Sequence, residues 1–152
     1  KQKQTIMKKL LTLLFIAVLT LSFSNEANAQ EGARKQLNFG FLGVTYEIPV
    51  SKDITIAPFA GTDWDIDWIT FGVKGNYYFD RVFKLESPDW DVYGGLSLGY
   101  AVGLGNNPDN GDVGFGGHAG GRWFFNEKWG LFLELGGGTT GGTAGIGFTM
   151  KL

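Results

Sequence analysis

The sequence predicts an all-β protein, an antiparallel up-and-down transmembrane β-barrel of eight strands preceded by a cleaved signal peptide. Three observations support this fold class. Glycine occupies 25 of 152 positions and charged residues make up only 18%, whereas soluble domains average about 7% glycine and about 25% charged residues. An apolar segment near the N-terminus has the layout of an export signal. The remaining chain alternates between apolar and small or polar residues with period two, as strands with two different faces do.

Composition also excludes several kinds of site. The chain has no cysteine and one histidine, so disulfides, thiolate metal sites and multi-histidine metal centres are not expected. It lacks the glycine motifs that bind phosphates or dinucleotides. A formal net charge of −2 gives no electrostatic basis for binding nucleic acid. We therefore expect no enzymatic activity, no cofactor, no metal and no nucleic-acid partner.

The first element is an export signal at residues 1–29. Met7 is followed by two lysines, an apolar run over residues 10–23 and a small-x-small cleavage site that ends at Ala29. The alternative is a transmembrane helix, but this run is shorter than the about 20 residues that a bilayer span needs. Residues 1–6 precede a natural start methionine and are interpreted as an upstream extension.

The predicted barrel domain, residues 30–152, contains long runs of alternation. In residues 89–104, Leu96 and Leu98 lie on one face while Ser97 and its small neighbours lie on the other. In a membrane barrel the apolar face contacts lipid and the small or polar face lines the lumen. In the alternative, a secreted lipocalin-like barrel, the inward face would be large and apolar. The longer runs also match the about 9–11 residues that a strand needs to cross a membrane.

Parity determines the predicted number of strands. Seven alternating runs are evident, but single-chain bacterial barrels have an even number because both termini are periplasmic. We therefore divide the first run into a hairpin bent at Leu42-Gly43, with Phe41 opposite Val44, although leucine is a poor residue for a type I′ turn. The predicted strands are residues 35–41, 44–49, 53–62, 67–79, 89–104, 112–125, 130–137 and 142–152.

Charged side chains on the inward faces form the first candidate site. An eight-stranded barrel is just wide enough for side chains to fill it, so inward charges must be paired. A short turn at residues 126–130 sets Phe125 opposite Leu131 and hence Arg122 opposite Glu134, and Glu47 is expected at a similar height to Lys74. We predict that a direct Arg122–Glu134 pair helps to close the lumen. The alternative is an ion-selective constriction or a proton path.

His118 and Ser97 are predicted to face inward near each other on neighbouring strands. A serine and a histidine could belong to a barrel acyltransferase or lipase, which also needs an orienting acid. We expect no inward carboxylate at their depth, so we interpret His118 as a packed or water-bonded lumen histidine.

Two acidic segments, residues 63–67 and 108–112, resemble fragments of calcium-binding loops but lack the full spacing. We interpret them as solvated extracellular loops, with weak binding of cations or cation-bridged lipopolysaccharide as the alternative. The tryptophans lie near predicted strand ends, as interfacial aromatic girdles do, and are not clustered on one loop as a sugar-binding platform would require. They are Trp64, Trp68, Trp90, Trp123 and Trp129.

Five segments carry a resemblance to a known family: residues 54–61, 91–100, 122–125, 130–136 and 145–152. They resemble the small outer-membrane β-barrel proteins of Gram-negative bacteria, the porin-like, OmpA/OmpX-type eight-stranded barrels. The resemblance implies a monomer in the outer membrane that contacts lipids and lipopolysaccharide, with no shared catalytic residues. It also implies that the outer-membrane assembly machinery recognises the C-terminal strand, although this chain ends in Leu152 where the family has an aromatic residue.

Two function classes remain. The first is a closed structural or interaction protein of the outer membrane whose loops meet the outside. The second is a narrow porin-like channel for small solutes or apolar molecules, which needs a continuous lumen or a lateral opening. Single-channel conductance separates the two.

Overall fold

The computed structural model describes residues 32–85, 87–104, 111–139 and 141–152, and these form a closed antiparallel barrel. Each strand pairs with the next one along the chain, and the last pairs with the first. The all-β class and the eight-strand count are confirmed, whereas the predicted signal peptide at residues 1–29 lies outside the described residues. The strands are β1 Gln36–Gly40, β2 Gly43–Pro49, β3 Ile54–Thr62, β4 Trp68–Tyr78, β5 Trp90–Gly103, β6 Asp112–Phe124, β7 Trp129–Gly138 and β8 Gly141–Lys151.

The barrel has two ends that differ in what they carry. The end that we call the terminal end holds residues 32–35, Leu152 and the connections 50–53, 79–89 and 125–128. The opposite end, called the distal end, holds the connections 41–42 and 63–67 together with Leu104, Gly111 and Thr139, which follow or precede the strand ends there. In the part of the chain that the structure describes, no helix is long and apolar enough to span a membrane.

Alternation along each strand puts the large apolar side chains on the outside of the barrel. Leu96 is 75% exposed, whereas Tyr93, on the other face of β5, is buried. The inward face consists of small, polar and aromatic residues while the large aliphatic ones face outward, so the usual arrangement of an aliphatic core and a polar surface is inverted. A soluble monomer rarely exposes a continuous apolar surface of this extent.

The first hairpin turns one residue earlier than predicted. Gly40 pairs with Gly43, so the two-residue loop is Phe41-Leu42 and the predicted turn at Leu42-Gly43 is wrong. Neither loop residue has the positive φ that a type I′ turn requires. The turn therefore does not demand the glycine or asparagine that made leucine an unfavourable choice.

The register between β6 and β7 also differs from the prediction by one step. Arg122 pairs with Phe132, and Glu134 pairs with Gly120. The prediction that Arg122 lies opposite Glu134 is therefore wrong. Both residues remain on the inward face, because a change of one hairpin step moves each partner by two positions.

The turn between β6 and β7 explains this register. The backbone N–H of Phe125 donates to the carbonyl oxygen of Trp129 at 3.1 Å. The Asn126 side-chain oxygen accepts hydrogen bonds from the backbone N–H groups of Lys128 and Trp129, at 2.9 and 2.7 Å. Because the asparagine closes the loop so tightly, pairing begins at Trp129, nearer to β6 than the alternation alone indicated.

Inward glycines allow aromatic side chains to lie along the barrel wall. Tyr93 on β5 pairs with Gly120 on β6, which in turn pairs with Glu134 on β7. The Tyr93 side chain crosses Gly120, and its hydroxyl donates to Oε2 of Glu134 at 3.0 Å. A Cβ at position 120 would lie only 2.5 Å from the tyrosine oxygen, so this crossing requires glycine.

Phe132 repeats the arrangement elsewhere in the barrel. It lies opposite Gly147 on β8, which pairs with Gly40 on β1. The Phe132 ring extends towards β1, where a Cβ at Gly40 would lie 3.4 Å from the Cζ atom of Phe132. Crossings of this kind account for part of the unusual glycine content of the inward face.

Candidate functional site

Arg122 and Glu47 form the centre of a buried polar cluster that spans the lumen. Nη2 of Arg122 pairs with Oε1 of Glu47, and the two side chains are 1% and 0% exposed. The Tyr78 hydroxyl accepts a hydrogen bond from Nη1 of Arg122 at 2.7 Å and donates to Oε2 of Glu47 at 2.6 Å. The guanidinium also packs over the Tyr93 ring, 3.9 Å from its centroid. Both buried charges are thus paired, which offsets their desolvation.

Further polar side chains extend the hydrogen bonding of this cluster, although Nε of Arg122 and Oε1 of Gln36 have no hydrogen-bond partner among the described residues. The Thr55 hydroxyl and the Asn38 amide each donate to the Glu47 carboxylate at 2.8 Å. The Thr149 hydroxyl donates to Oδ1 of Asn38 at 2.6 Å, and the Gln36 amide donates to the Tyr78 hydroxyl at 2.7 Å. We call the whole set the lumen network. Its members are Gln36, Asn38, Glu47, Thr55, Tyr78, Arg122 and Thr149, all of them buried.

Lys74 and Glu134 form a second ion pair, on the distal side of the lumen network. Their side chains are 16% and 15% exposed, so this pair is partly solvated. Tyr93 connects it with the lumen network, because its ring packs on Arg122 and its hydroxyl binds Glu134. The structure thus brings the four predicted charged residues together, but Arg122 pairs with Glu47 and Lys74 pairs with Glu134.

His118 binds a residue that the sequence did not single out. Its Nε2 atom lies 2.6 Å from Oδ1 of Asn76. His118 pairs with Gly95, so the predicted neighbour Ser97 lies one inward position further towards the distal end. The observed register of β6 and β7 brings Glu134 nearer to His118, by one inward-facing residue, than the predicted register does. Glu134 is, however, bound to Lys74 and Tyr93. These residues therefore do not form the nucleophile, base and acid series that acyl transfer needs.

Residues 32–35 run across the mouth of the barrel at the terminal end, and we call them the N-terminal strap. Ala33 is fully buried and clusters with Tyr78 and Tyr93. Its backbone N–H donates to the carbonyl oxygen of Lys52 at 3.1 Å. The strap has no alternating pattern, so it could not be recognised from the sequence.

Arg34 fixes the strap to the barrel wall. Its Nη2 atom pairs with Oδ1 of Asp91 at 2.9 Å, and its guanidinium carbon lies 5.2 Å from the centroid of the Phe124 ring. The second oxygen of Asp91 lies 4.0 Å from Nη1 of Arg122. Asp91 therefore connects the strap electrostatically with the lumen network. Alternation placed Asp91 on the inward face, but only the structure identifies its partner.

The distal half of the lumen is filled less completely than the terminal half. Inward residues there, such as Phe59, Thr70 and Ser97, retain partial exposure, whereas the lumen network is buried. The Lys74–Glu134 pair lies between the two halves. The lumen is therefore closed by a buried polar layer, and the inward side chains on its distal side are less deeply buried.

The predicted girdle tryptophans divide between the two ends. Trp90, Trp123 and Trp129 lie on the outward face at the terminal end, where the rings of Trp90 and Trp123 are 6.4 Å apart. At the distal end, Trp64 belongs to a connection, and Trp68 occupies an inward-facing position at the start of β4. Alternation therefore places three of these tryptophans in an outward ring, and the two distal ones depart from it.

The acidic segment 63–67 forms a closed turn. Oδ1 of Asp63 accepts hydrogen bonds from the backbone N–H groups of Asp67 and Trp68, at 2.8 and 3.0 Å. This carboxylate therefore caps its own loop. Among the residues that the structure describes, no three acidic or histidine side chains are grouped so that they could hold a metal ion. Residues 105–110, which include part of the second acidic segment, lie outside the described ranges.

Asp80, in the connection between β4 and β5, gives a pH-dependent prediction. Burial raises the pKa of its carboxyl to about 6, against the effect of the Val92 N–H, which donates to Oδ1 at 2.9 Å. An aspartate in the unfolded chain ionises at about pH 4. As pH rises, the unfolded chain therefore releases this proton before the folded barrel does, and the free energy of unfolding decreases between about pH 4 and about pH 6. Asp80→Asn keeps the acceptor for Val92 and removes the charge.

We therefore expect Asp80→Asn to match the wild type at pH 4 and to exceed its unfolding free energy by about 1 kcal/mol at pH 8, after allowance for solvent screening. Urea unfolding at the two pH values measures the difference. Asp89→Asn, which removes an exposed carboxylate from the same connection, is the control. A constant difference between Asp80→Asn and the wild type at both pH values would contradict the assignment.

Comparisons with known proteins bear on the fold alone. No protein-family model matches the chain, and no curated protein matches it significantly. Among solved structures, the chain is similar to one described as "De novo design of transmembrane beta-barrels", with a TM-score of 0.61 and 16% sequence identity. The similarity covers 82% of this chain and 99% of that one. The architecture described above is thus shared with barrels designed to cross a membrane.

Proposed function

We propose that this chain is a structural or interaction protein of the outer membrane, a transmembrane barrel without enzymatic activity whose lumen is closed by its own side chains. The lumen network carries the proposal, because Arg122 and Glu47 meet across the interior and are almost completely buried. The apolar outward face supports a position in lipid, since a membrane barrel turns its apolar face outward. The similarity to designed transmembrane barrels is consistent with this position.

The finer parts of the proposal follow from the family resemblance. We infer an OmpA/OmpX-type monomer in a Gram-negative outer membrane, with the terminal end in the periplasm and the distal end outside the cell. Outward apolar residues contact lipid, and the distal connections lie at the level of lipopolysaccharide. The C-terminal strand β8 is the segment that the assembly machinery would recognise.

Conductance of the refolded protein in planar bilayers tests the closed lumen. We expect insertion without steady conductance, because the N-terminal strap and the lumen network both cross the passage. A porin with a wide lumen, inserted in the same way, is the positive control. A large, steady conductance of the wild type would contradict the proposal and favour the alternative, a narrow channel for small solutes or apolar molecules.

Leu98→Arg tests the position in the membrane. Leu98 lies near the middle of β5 on the outward face, between Val73 and Phe115 on the neighbouring strands. An arginine on the lipid face near the bilayer midplane costs about 2–4 kcal/mol of folding free energy. Urea titration of the protein in phospholipid vesicles measures this cost, and Ser51→Arg, in an exposed connection, is the control. If Leu98→Arg costs no more than Ser51→Arg, the outward face does not contact lipid.

A further inference from the structure

The connections at the distal end are acidic and contain no basic residue. Three aspartates lie in the connection 63–67 and a fourth begins β6, and no lysine or arginine lies in the described part of the distal connections. At the terminal end, every connection and the N-terminal strap contain at least one basic residue. The distal acids are Asp63, Asp65, Asp67 and Asp112; the terminal basic residues are Arg34, Lys35, Lys52, Arg81, Lys84, Lys128 and Lys151.

Three large apolar side chains project from this acidic end. Phe41, Trp64 and Ile66 are 84%, 77% and 64% exposed, and we call them the distal rim. They lie in two neighbouring connections, which are joined by a hydrogen bond from the Thr62 N–H to the Leu42 carbonyl oxygen at 2.7 Å. Exposed aromatic residues of this size are typical of the anchors of protein interfaces.

The loop that bears Trp64 and Ile66 is closed by several hydrogen bonds. The Asp63 carboxylate caps the N–H groups of Asp67 and Trp68, and the Leu104 N–H donates to the Asp67 carbonyl oxygen at 2.6 Å. Ile66 has a φ of 57°, in the left-handed region that β-branched residues rarely adopt. A loop that is already ordered loses little entropy when a partner binds.

We propose that the distal rim binds a cationic, apolar segment of a protein or peptide at the cell surface. Apolar side chains of the partner pack on Trp64, Ile66 and Phe41, and its lysine or arginine side chains lie against the exposed carboxylates of Asp65 and Asp67. An anionic lipid surface is the less favourable partner, because like charges repel across an interface. The inference rests on the proposed function in that the distal end must face outside.

Binding of a defined peptide tests the rim. The chain is placed in nanodiscs of phosphatidylcholine, and a fluorescent peptide of alternating lysine and leucine is titrated by anisotropy, with empty nanodiscs subtracted. We expect this peptide to bind and a matched peptide of alternating glutamate and leucine not to bind. Trp64→Ser should weaken binding about tenfold, as expected for an aromatic anchor. Asp65→Asn should weaken it less and reduce its salt dependence.

Two variants separate binding from folding and from unspecific adsorption. Ile66→Gly relieves the left-handed backbone, so it should raise stability while it lowers affinity for the lysine peptide. Phe83→Ser removes a side chain that is 59% exposed at the terminal end and should leave the affinity unchanged. The proposal is wrong if Trp64→Ser binds like the wild type, if Phe83→Ser weakens binding equally, or if the glutamate peptide binds as well.

Lipopolysaccharide is tested as the competing partner. If vesicles of lipopolysaccharide with Ca²⁺ depend on Trp64 for binding and the lysine peptide does not bind, the rim is a lipid contact and the proposal is overturned.

Orientation is tested separately, since the chain has no cysteine. An impermeant maleimide on intact cells should label Thr139→Cys and not Ser51→Cys, and the reverse result would contradict the inference.

The failures of the two proposals are distinguishable. A steady conductance of the wild type would contradict the closed lumen, while the affinity of the rim for the lysine peptide would be unaffected. Loss of rim binding in a membrane-inserted, non-conducting barrel would contradict the cationic partner alone.

Discussion

Replacing Arg122 with methionine is expected to lower the free energy of unfolding by about 3–5 kcal/mol, because it leaves a buried carboxylate without its cation. The carboxylate is that of Glu47, which is fully buried. The double variant Arg122→Met, Glu47→Gln should lose less, since it leaves no unpaired charge. Urea unfolding of the four proteins of this double-mutant cycle, in vesicles of one composition, measures the coupling between the two side chains.

A second cycle, between Arg122 and Glu134, checks the register of β6 and β7. The structure pairs Glu134 with Lys74. The effects of Glu134→Gln and Arg122→Met on the free energy of unfolding should therefore be much closer to additive than those of Glu47→Gln and Arg122→Met. Lys84→Met, at an exposed position in a connection, should have almost no effect. Additive effects of Arg122→Met and Glu47→Gln would show that the two charges do not stabilise each other.

Gly120→Ala is expected to destabilise the barrel by about 1–3 kcal/mol, as overpacking of a filled interior does. The new Cβ would lie 2.5 Å from the Tyr93 hydroxyl oxygen and 2.8 Å from the backbone oxygen of Leu133. The tyrosine can move only by giving up its contacts with Glu134 and Arg122, and the backbone oxygen cannot move without disturbing the β6–β7 ladder.

Gly75→Ala is the matched control for this substitution. Gly75 lies in β4 on the outward face, and a Cβ there would meet no atom within 4 Å. Alanine costs less conformational entropy than glycine on folding, so this variant should be as stable as the wild type or slightly more stable. Equal losses for Gly75→Ala and Gly120→Ala, measured by urea unfolding in vesicles, would contradict the role of the tyrosine crossing.

The strands could be predicted from sequence because their signal is local. Each run of alternation, such as the one containing Leu96 and Leu98, indicates which side chains share a face without information from the rest of the chain. The pairing of adjacent strands was harder to predict, because it depends on how each turn closes. Asn126 shortens the β6–β7 turn through hydrogen bonds to two backbone N–H groups, and that was enough to move Glu134 away from Arg122.

Contacts across the lumen could not be predicted at all from alternation. Arg122 on β6 reaches Glu47 on β2, and Lys74 on β4 reaches Glu134 on β7. These strands are not neighbours, so the partners depend on the closure and stagger of the whole barrel. Tyr78 and Tyr93 share the inward faces of β4 and β5 with Lys74 and Ser97, but their role as bridges between charges depends on the same global geometry.

The seam between β1 and β8 has a consequence for the kinetics of the barrel. It pairs Gln36 with Lys151, residues from nearly opposite ends of the domain, and contacts of such high sequence separation slow folding. The lumen network includes side chains on both sides of the seam, since Thr149 donates to Asn38. The network is therefore complete only after the barrel has closed. Interactions that form after the transition state act on the unfolding rate, so we expect the buried charges to slow unfolding of the closed barrel and to have little influence on its folding rate.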